Sequence, residues 1–206
     1  MKMRRFLLLA ALITGVNILM IQAIPSIFTG QEMTPQAKKM MDQMMKYGTP
    51  GKSHEFLKRY VGDWDVDITS WSPMGGQPQM SKGTMKNTLM FEGRYVKGEF
   101  GGTMGGMNFA GLEIIGYDLF KNKYTTFWID SMSTGFLTTG GTLDASGNVL
   151  TETGTSPDPM TDGKTLQKYK NVTTFMGDGK YKFEMFMVMP DGKESKGMEM
   201  VCTRRK

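Results

Sequence analysis

Few side chains in this chain of 206 residues could carry out catalysis. There is one histidine, His54, and one cysteine, Cys202. The pKa of a histidine suits a general base or a metal ligand, but no second histidine accompanies His54 and no Gly-x-Ser-x-Gly elbow offers a nucleophile. His54 also stands near the start of a short helical pattern. We therefore predict a structural role for His54 and assign no catalytic residues.

A better candidate for ligand binding lies between residues 124 and 130. Side chains alternate between the two faces of a strand, so residues an even number of positions apart share a face. One face would carry Tyr124, Trp128 and Asp130, and the other would carry Phe127 and Ile129. If the Trp128 face lies inside, an aromatic platform beside a carboxylate forms a pocket wall. If it lies outside, Trp128 covers the surface against the N-terminal helix. We take Tyr124, Trp128 and Asp130 as candidate ligand-binding residues.

Methionine is abundant, with 22 in all. Met40, Met41, Met44 and Met45 form two pairs spaced by four, which places them on one side of a helix. Thioether clusters can bind copper(I), so these four residues are a weak copper candidate. The alternative is that methionine serves as an adaptable core filler. We predict no other metal site and no cofactor.

The N-terminal segment indicates export. Three basic residues precede an apolar run over residues 6–23, which is typical of a secretory signal peptide ending at Ala23. The apolar character continues to residue 28, so an uncleaved membrane anchor over residues 6–28 is the alternative. We expect a periplasmic or secreted protein, or one held at the inner membrane by this anchor.

Charge gives no reason to expect a nucleic-acid partner. The net charge is +5, but three of the positive charges belong to the N-terminal segment and the other basic residues alternate with acidic ones. A mixed-charge surface over a single core fits a chain of this length.

The pattern along the rest of the chain predicts an all-β fold. Helices are expected over 35–47 and 53–60, which divides the chain into a methionine-rich extension (24–49) and a domain (50–206). Alternating runs separated by glycine turns then predict about ten strands. They are expected near 63–71, 82–91, 94–100, 107–117, 124–130, 135–143, 148–155, 166–176, 180–189 and 196–204. The short turns make consecutive strands antiparallel, and closing the sheet into a barrel removes its exposed edges.

The first and last strands suggest how the barrel closes. Trp64 shares a face with Val66 and Ile68, and Arg204 is in register with the apolar row that ends at Cys202. A guanidinium at the end of an apolar row needs a partner. The face of a tryptophan is a favourable one, so we predict that Arg204 covers Trp64 as a structural closure.

Gly62-x-Trp64 on the first strand and Arg204 on the last resemble the calycin superfamily of lipocalin-like barrels. More specifically, residues 50–206 are similar to the bacterial domain-of-unknown-function family 1579, which has no established activity. Matching segments span the domain; they include Val61-Gly62-Asp63-Trp64, Gly116-Tyr117-Asp118, Trp128-Ile129-Asp130-Ser131-Met132 and Pro190-Asp191-Gly192-Lys193. The chain also resembles haem-binding nitrobindin-type barrels, but their late axial histidine has no counterpart here, so we do not expect haem.

These observations lead to three functional hypotheses. The first is an exported, non-enzymatic protein that binds a small, mostly apolar molecule inside the barrel. The second is a structural or interaction protein of the cell envelope with a filled barrel. The third is an isomerase or cyclase that uses an interior carboxylate such as Asp130.

Overall fold

A computed structural model of the chain describes residues 33–72 and 75–206. The predicted signal peptide (1–23) and the alternative anchor (6–28) lie outside the described residues. None of the helices within the described ranges is both long and apolar enough to cross a membrane. The chain divides into two compact units, one ending at Gly48 and one covering Thr49–Lys206.

The helix of the first unit, α1, covers Pro35–Gly48. It begins where predicted, because the Thr34 hydroxyl accepts a hydrogen bond from the Ala37 N–H (3.2 Å) and a proline occupies the first helical position. None of its residues is buried.

The second unit begins with α2 (Lys52–Glu55) and a 3-10 helix (Phe56–Tyr60), where the sequence predicted one helix over 53–60. Ten strands follow. They are β1 (Gly62–Ser70), β2 (Gln79–Met90), β3 (Tyr95–Met104), β4 (Met107–Asp118), β5 (Lys123–Asp130), β6 (Leu137–Leu143), β7 (Val149–Pro157), β8 (Leu166–Phe175), β9 (Lys180–Val188) and β10 (Glu194–Arg204). Short 3-10 turns follow β2 and β7, at Phe91–Gly93 and Pro159–Thr161.

The strands form one closed, antiparallel barrel in which each strand pairs with its neighbours in sequence and β1 pairs with β10. The predicted all-β barrel is therefore confirmed, and each predicted strand overlaps an observed one. Trp64 lies opposite Arg204 across the β1–β10 pair. The β9–β10 pair has a register irregularity between Lys196 and Met198 on β10.

The 3-10 helix plugs one end of the barrel. Phe56, Leu57 and Tyr60 are buried, and the Tyr60 ring lies edge-on to Phe175 (4.9 Å) and Tyr181 (5.6 Å). Offset and edge-to-face aromatic packing of this kind adds to the free energy gained by burial alone. We call this the plugged end.

Trp64 and Arg204 join the plug to the sheet. The indole N–H of Trp64 donates to the Tyr60 carbonyl (2.7 Å), and the Arg204 guanidinium lies 4.1 Å from the centroid of the Trp64 ring. Arg204 also donates to the carbonyls of Asp178 (2.8 Å), Arg59 (3.1 Å) and Val61. Gly62 makes room for it: its φ is +131°, and a Cβ there would lie 2.3 Å from Arg204 Nη1.

Candidate ligand-binding site

The barrel is hollow between the plug and the opposite rim. An inner chamber of about 110 Å³ lies above the plug, and a wider vestibule of about 770 Å³ opens to solvent at the other end. A buried water needs about 10–15 Å³ by a comparable measure, so the chamber has room for several water-sized groups. The barrel can therefore admit a ligand at the end away from Trp64 and Arg204.

Five side chains line both spaces and form a collar between them: Trp128, Leu137, Met185, Met198 and Met200. The vestibule beyond the collar is mainly apolar, with Ile68, Phe100, Met104, Phe109 and Phe136 among its walls. Because methionine is unbranched and changes rotamer at low cost, the three methionines allow the collar to adapt its shape.

Trp128 is the aromatic wall of the collar. Its indole N–H donates to Asp130 Oδ2 (2.9 Å), and the backbone N–H of Met132 donates to Asp130 Oδ1 (2.9 Å). The ring stacks with Phe109 at 6.3 Å and an interplanar angle of 21°. It also lies close to Gly111, where a Cβ would come within 2.2 Å of the ring. Both Asp130 oxygens thus position Trp128 and its loop.

Two glutamates lie in the chamber, Glu113 from β4 and Glu152 from β7. Glu152 is only 4% exposed, and its Oε1 accepts hydrogen bonds from the hydroxyls of Thr126 (2.9 Å) and Thr139 (3.3 Å). Glu113 Oε2 and Asn87 Oδ1 both approach Gly98, at 3.4 and 2.6 Å from the position of a Cβ there. No Lys, Arg or His lines the chamber among the described residues.

Burial of these carboxyls changes their acidity. Loss of hydration, and then the nearby Glu152 charge, raise the pKa of Glu113 to about 7. Burial also raises the pKa of Glu152, against the opposing effect of the two threonine hydroxyls. Burial raises the pKa values of Tyr60 and Tyr181 well above the usual value of a tyrosine. Glu113 is therefore a chamber group whose pKa lies near neutral pH.

Two amide oxygens in this part of the barrel are buried without a hydrogen-bond donor. Asn87 donates its amide N–H to the Tyr60 carbonyl (2.9 Å), but its Oδ1 is buried without a donor. Asn171 lines the chamber, is 7% exposed, and also has an Oδ1 without a donor. A buried acceptor left in this condition costs about 1–3 kcal/mol, which a ligand carrying donors would recover.

The structure separates the three candidate ligand-binding residues. Trp128 lines the chamber and the vestibule, and Asp130 lines the vestibule. Tyr124 shares their inward face but lies at the plugged end, where its hydroxyl donates to the Ser53 carbonyl (2.8 Å) and its ring packs against Phe56. Tyr124 is not among the residues that line either space.

The other candidates lie outside the hollow. His54 is buried, and its Nδ1 accepts a hydrogen bond from the Gly51 N–H (3.0 Å), which ties the start of α2 together. Met40, Met41, Met44 and Met45 are all exposed on α1, and copper binding there stays a prediction. Within residues 33–72 and 75–206, no three His, Cys, Asp or Glu side chains come together as a metal site.

Glu113 and Glu152 were missed by the sequence analysis. A signal was available for Glu152, which is in register with Leu150 on a strand whose other face carries Thr151 and Thr153. A carboxylate on the inward row of a barrel strand points to a buried acidic group.

These features define a lipocalin-like barrel, plugged at one end and hollow at the other. The chain belongs to the family described as protein of unknown function (DUF1579), whose model matches residues 49–204. A search of the curated proteins gives no match.

Solved structures resemble the barrel. The crystal structure of Rv2717c from M. tuberculosis is 10% identical, with a TM-score of 0.52, over 77% of this chain and 100% of that chain. A redesigned β-barrel, b11L5F_LGL, is 15% identical with a TM-score of 0.37, over 75% of this chain and 96% of that one. Another redesigned β-barrel, mFAP1 bound to DFHBI, is 14% identical with a TM-score of 0.31, over 75% of this chain and 100% of that one. At these identities, the first likeness supports the fold alone.

Proposed function

We propose that this protein is an exported binding protein that holds a small, mostly apolar molecule in its barrel. The observation that carries the proposal is the apolar vestibule of about 770 Å³, which continues past the collar into a chamber. Concave, largely apolar sites with a few convergent polar groups are typical of small-molecule binding. Export rests on the N-terminal sequence pattern.

The test combines a native ligand search with a defined probe. Native mass spectrometry of the protein purified from its own host should detect a bound small molecule. Calorimetric titration with decanol, an apolar chain with a neutral head, should show saturable binding. Met185→Trp adds bulk at the collar and should weaken decanol binding about ten-fold. Met80→Trp is a matched control, since Met80 is 83% exposed.

Two results together would overturn the proposal: bare polypeptide in the mass spectra across several growth conditions, and no decanol binding. Under those results the cell-envelope structural or interaction role would be favoured. The exposed methionines of α1 would then be the surface to examine.

An isomerase or cyclase is the second candidate function, and the buried glutamates are the observation that favours it. A carboxyl group with a pKa of about 7, as in Glu113, can both give and accept a proton at neutral pH. Asp130 suits this role less well, because both its oxygens accept hydrogen bonds from Trp128 and Met132. The test is to incubate host metabolite extract with the unmodified protein and, separately, with the Glu113→Gln variant. An enzyme of this kind must convert a metabolite in the first sample and not in the second.

A further inference from the structure

The chamber holds two carboxyl groups, and one amide oxygen on its wall has no hydrogen-bond donor. Glu152 on β7 and Asn171 on β8 are direct cross-strand partners, and Glu113 comes from β4 in another part of the barrel wall. No cation among the described residues faces them. Buried carboxylates are ordinarily paired, because an unpaired buried charge is costly.

Two hydroxyls of the chamber donate to the same carboxylate oxygen. The hydroxyls of Thr126 and Thr139 both donate to one oxygen of Glu152, so its second oxygen takes neither bond. Asn171 Oδ1, on a side chain more than nine-tenths buried, lacks a donor as well. Asn171, the cross-strand neighbour of Glu152, is therefore a second group, besides the carboxyls, that indicates a missing donor in the chamber.

We propose that the ligand is an amphipathic primary amine, whose ammonium head enters the chamber beside Glu113, Glu152 and Asn171 while its apolar chain lies in the vestibule. This inference rests on the proposed binding function and names its ligand class. An ammonium group offers three donors and a positive charge, which match the unsatisfied oxygens and the carboxylates. A carboxylate head would meet like charge, and a hydroxyl head would supply one donor and no charge.

The size of the two spaces agrees with such a molecule. The chamber of about 110 Å³ accepts a compact head group and a short part of its chain. The collar of Trp128, Leu137, Met185, Met198 and Met200 would then surround the first methylenes. Each methylene that leaves water adds to the affinity, so the vestibule supplies affinity and the chamber supplies selectivity.

Proton release should accompany the binding. A cation beside a carboxyl favours its ionised form, so the bound ammonium would lower the pKa of Glu113, which is about 7 in the free protein. Glu152, Tyr60, Tyr181 and Cys202 also face Glu113. Burial raises the pKa of Cys202 to about 12 and that of the two tyrosines above their usual values, so they stay neutral near pH 7.

The experiment compares decylamine, decanol and decanoic acid, which share one chain and differ in the head group. Isothermal titration of the full chain at pH 7 should show decylammonium binding at least about ten-fold tighter than decanol, and decanoate weakest. Repeating the decylamine titration in buffers of different ionisation enthalpy should reveal proton release, which Glu113→Gln should abolish. The combined Glu113→Gln and Glu152→Gln variant should lose about ten-fold in decylamine affinity.

Controls keep the test decisive. The double variant should bind decanol within about two-fold of the unmodified protein, which shows that its hollow is intact. Glu99→Gln, an exposed glutamate on β3, should bind decylamine unchanged. If the double variant fails to fold, the comparison of the three head groups in the unmodified protein still decides.

Two outcomes overturn the amine proposal and leave the binding function standing. One is decanol or decanoate binding as tightly as decylamine. The other is unchanged decylamine affinity in the folded double variant. Binding by none of the three probes would overturn the amine proposal together with the proposed function.

Discussion

The Trp128 indole is held by Asp130 through a 2.9 Å hydrogen bond, and the ring lies against Gly111 on the adjacent strand. One carboxylate thereby fixes the aromatic wall that separates the chamber from the vestibule. The bond is half-buried, so it is partly shielded from competing water.

Asp130→Ala should therefore loosen the collar. We expect the free energy of unfolding to fall by about 1–2 kcal/mol, because the Trp128 N–H and the Met132 N–H both lose an acceptor. The affinity for decanol should also fall, because the Trp128 wall of the collar is no longer held in place. Urea denaturation and calorimetry measure the two effects. Asp130→Asn retains one carbonyl acceptor, so its stability and decanol affinity should lie between those of the unmodified protein and Asp130→Ala. Unchanged stability and affinity in Asp130→Ala would contradict this role.

Arg204 and Arg205 are neighbours that should differ greatly in their contribution to stability. Arg204→Ala removes the donors of three backbone carbonyls and the contact with Trp64, so we expect a loss of about 3–5 kcal/mol. Arg205→Ala breaks an exposed ion pair with Asp65 (2.6 Å) and should cost less than about 1 kcal/mol. Guanidinium denaturation of both variants gives the comparison. Similar losses in the two would show that Arg204 does not close the barrel.

Glu113 should make the protein less stable as the pH rises. Its pKa is about 7 in the folded protein and 4.5 as an ordinary glutamate, so between these values the folded state holds a proton that the unfolded chain has lost. The free energy of unfolding therefore falls as pH rises through this window. Glu113→Gln should be more stable than the unmodified protein by about 3 kcal/mol at pH 8 and about equal at pH 4.

Glu99→Gln serves as the control for this pH effect, because Glu99 is exposed and pairs with Lys97 at the surface (3.0 Å). Its unfolding free energy should follow that of the unmodified protein at each pH. Parallel pH profiles for Glu113→Gln and the unmodified protein would mean that Glu113 is not buried in a costly charged form.

His54 should act in the opposite direction. Burial lowers its pKa, so the unfolded chain takes up a proton more readily and stability is lost as the pH falls below about 6.5. Protonation at Nδ1 would also break the bond from the Gly51 N–H. His54→Gln should flatten the acid side of the stability profile, measured by thermal unfolding between pH 5 and pH 8. A slope that does not change would exclude His54 as its source.

The sequence could predict the barrel because strand periodicity and turn residues are local signals. Trp64, Val66 and Ile68 alternate with aspartates, so the inward face of β1 is readable from the sequence. The arrangement of Trp64 and Arg204 follows from the same period applied to two strands. The 3-10 geometry of Phe56–Tyr60 was not predictable, because it depends on packing under the barrel.

The chamber was harder to predict for a physical reason. Glu113 stands between Leu112 and Ile114, whose cross-strand partners are Ile129 and Phe127. The outer face of these strands is thus apolar too, and hydrophobic alternation does not show which side is inside. Whether a closed barrel is empty or filled depends on how residues from all its strands meet, and this cannot be read from one strand at a time.

The pairing of β1 with β10 also limits how the domain can fold. Val61 and Arg204 are bonded across 143 positions of sequence, so the barrel cannot close until its last strand has been synthesised. Until then, both the β1 edge and the apolar inner rows remain exposed to aggregation and to chaperones. Slow folding after synthesis, with late protection of the amides of β1 from hydrogen exchange, is therefore built into the topology.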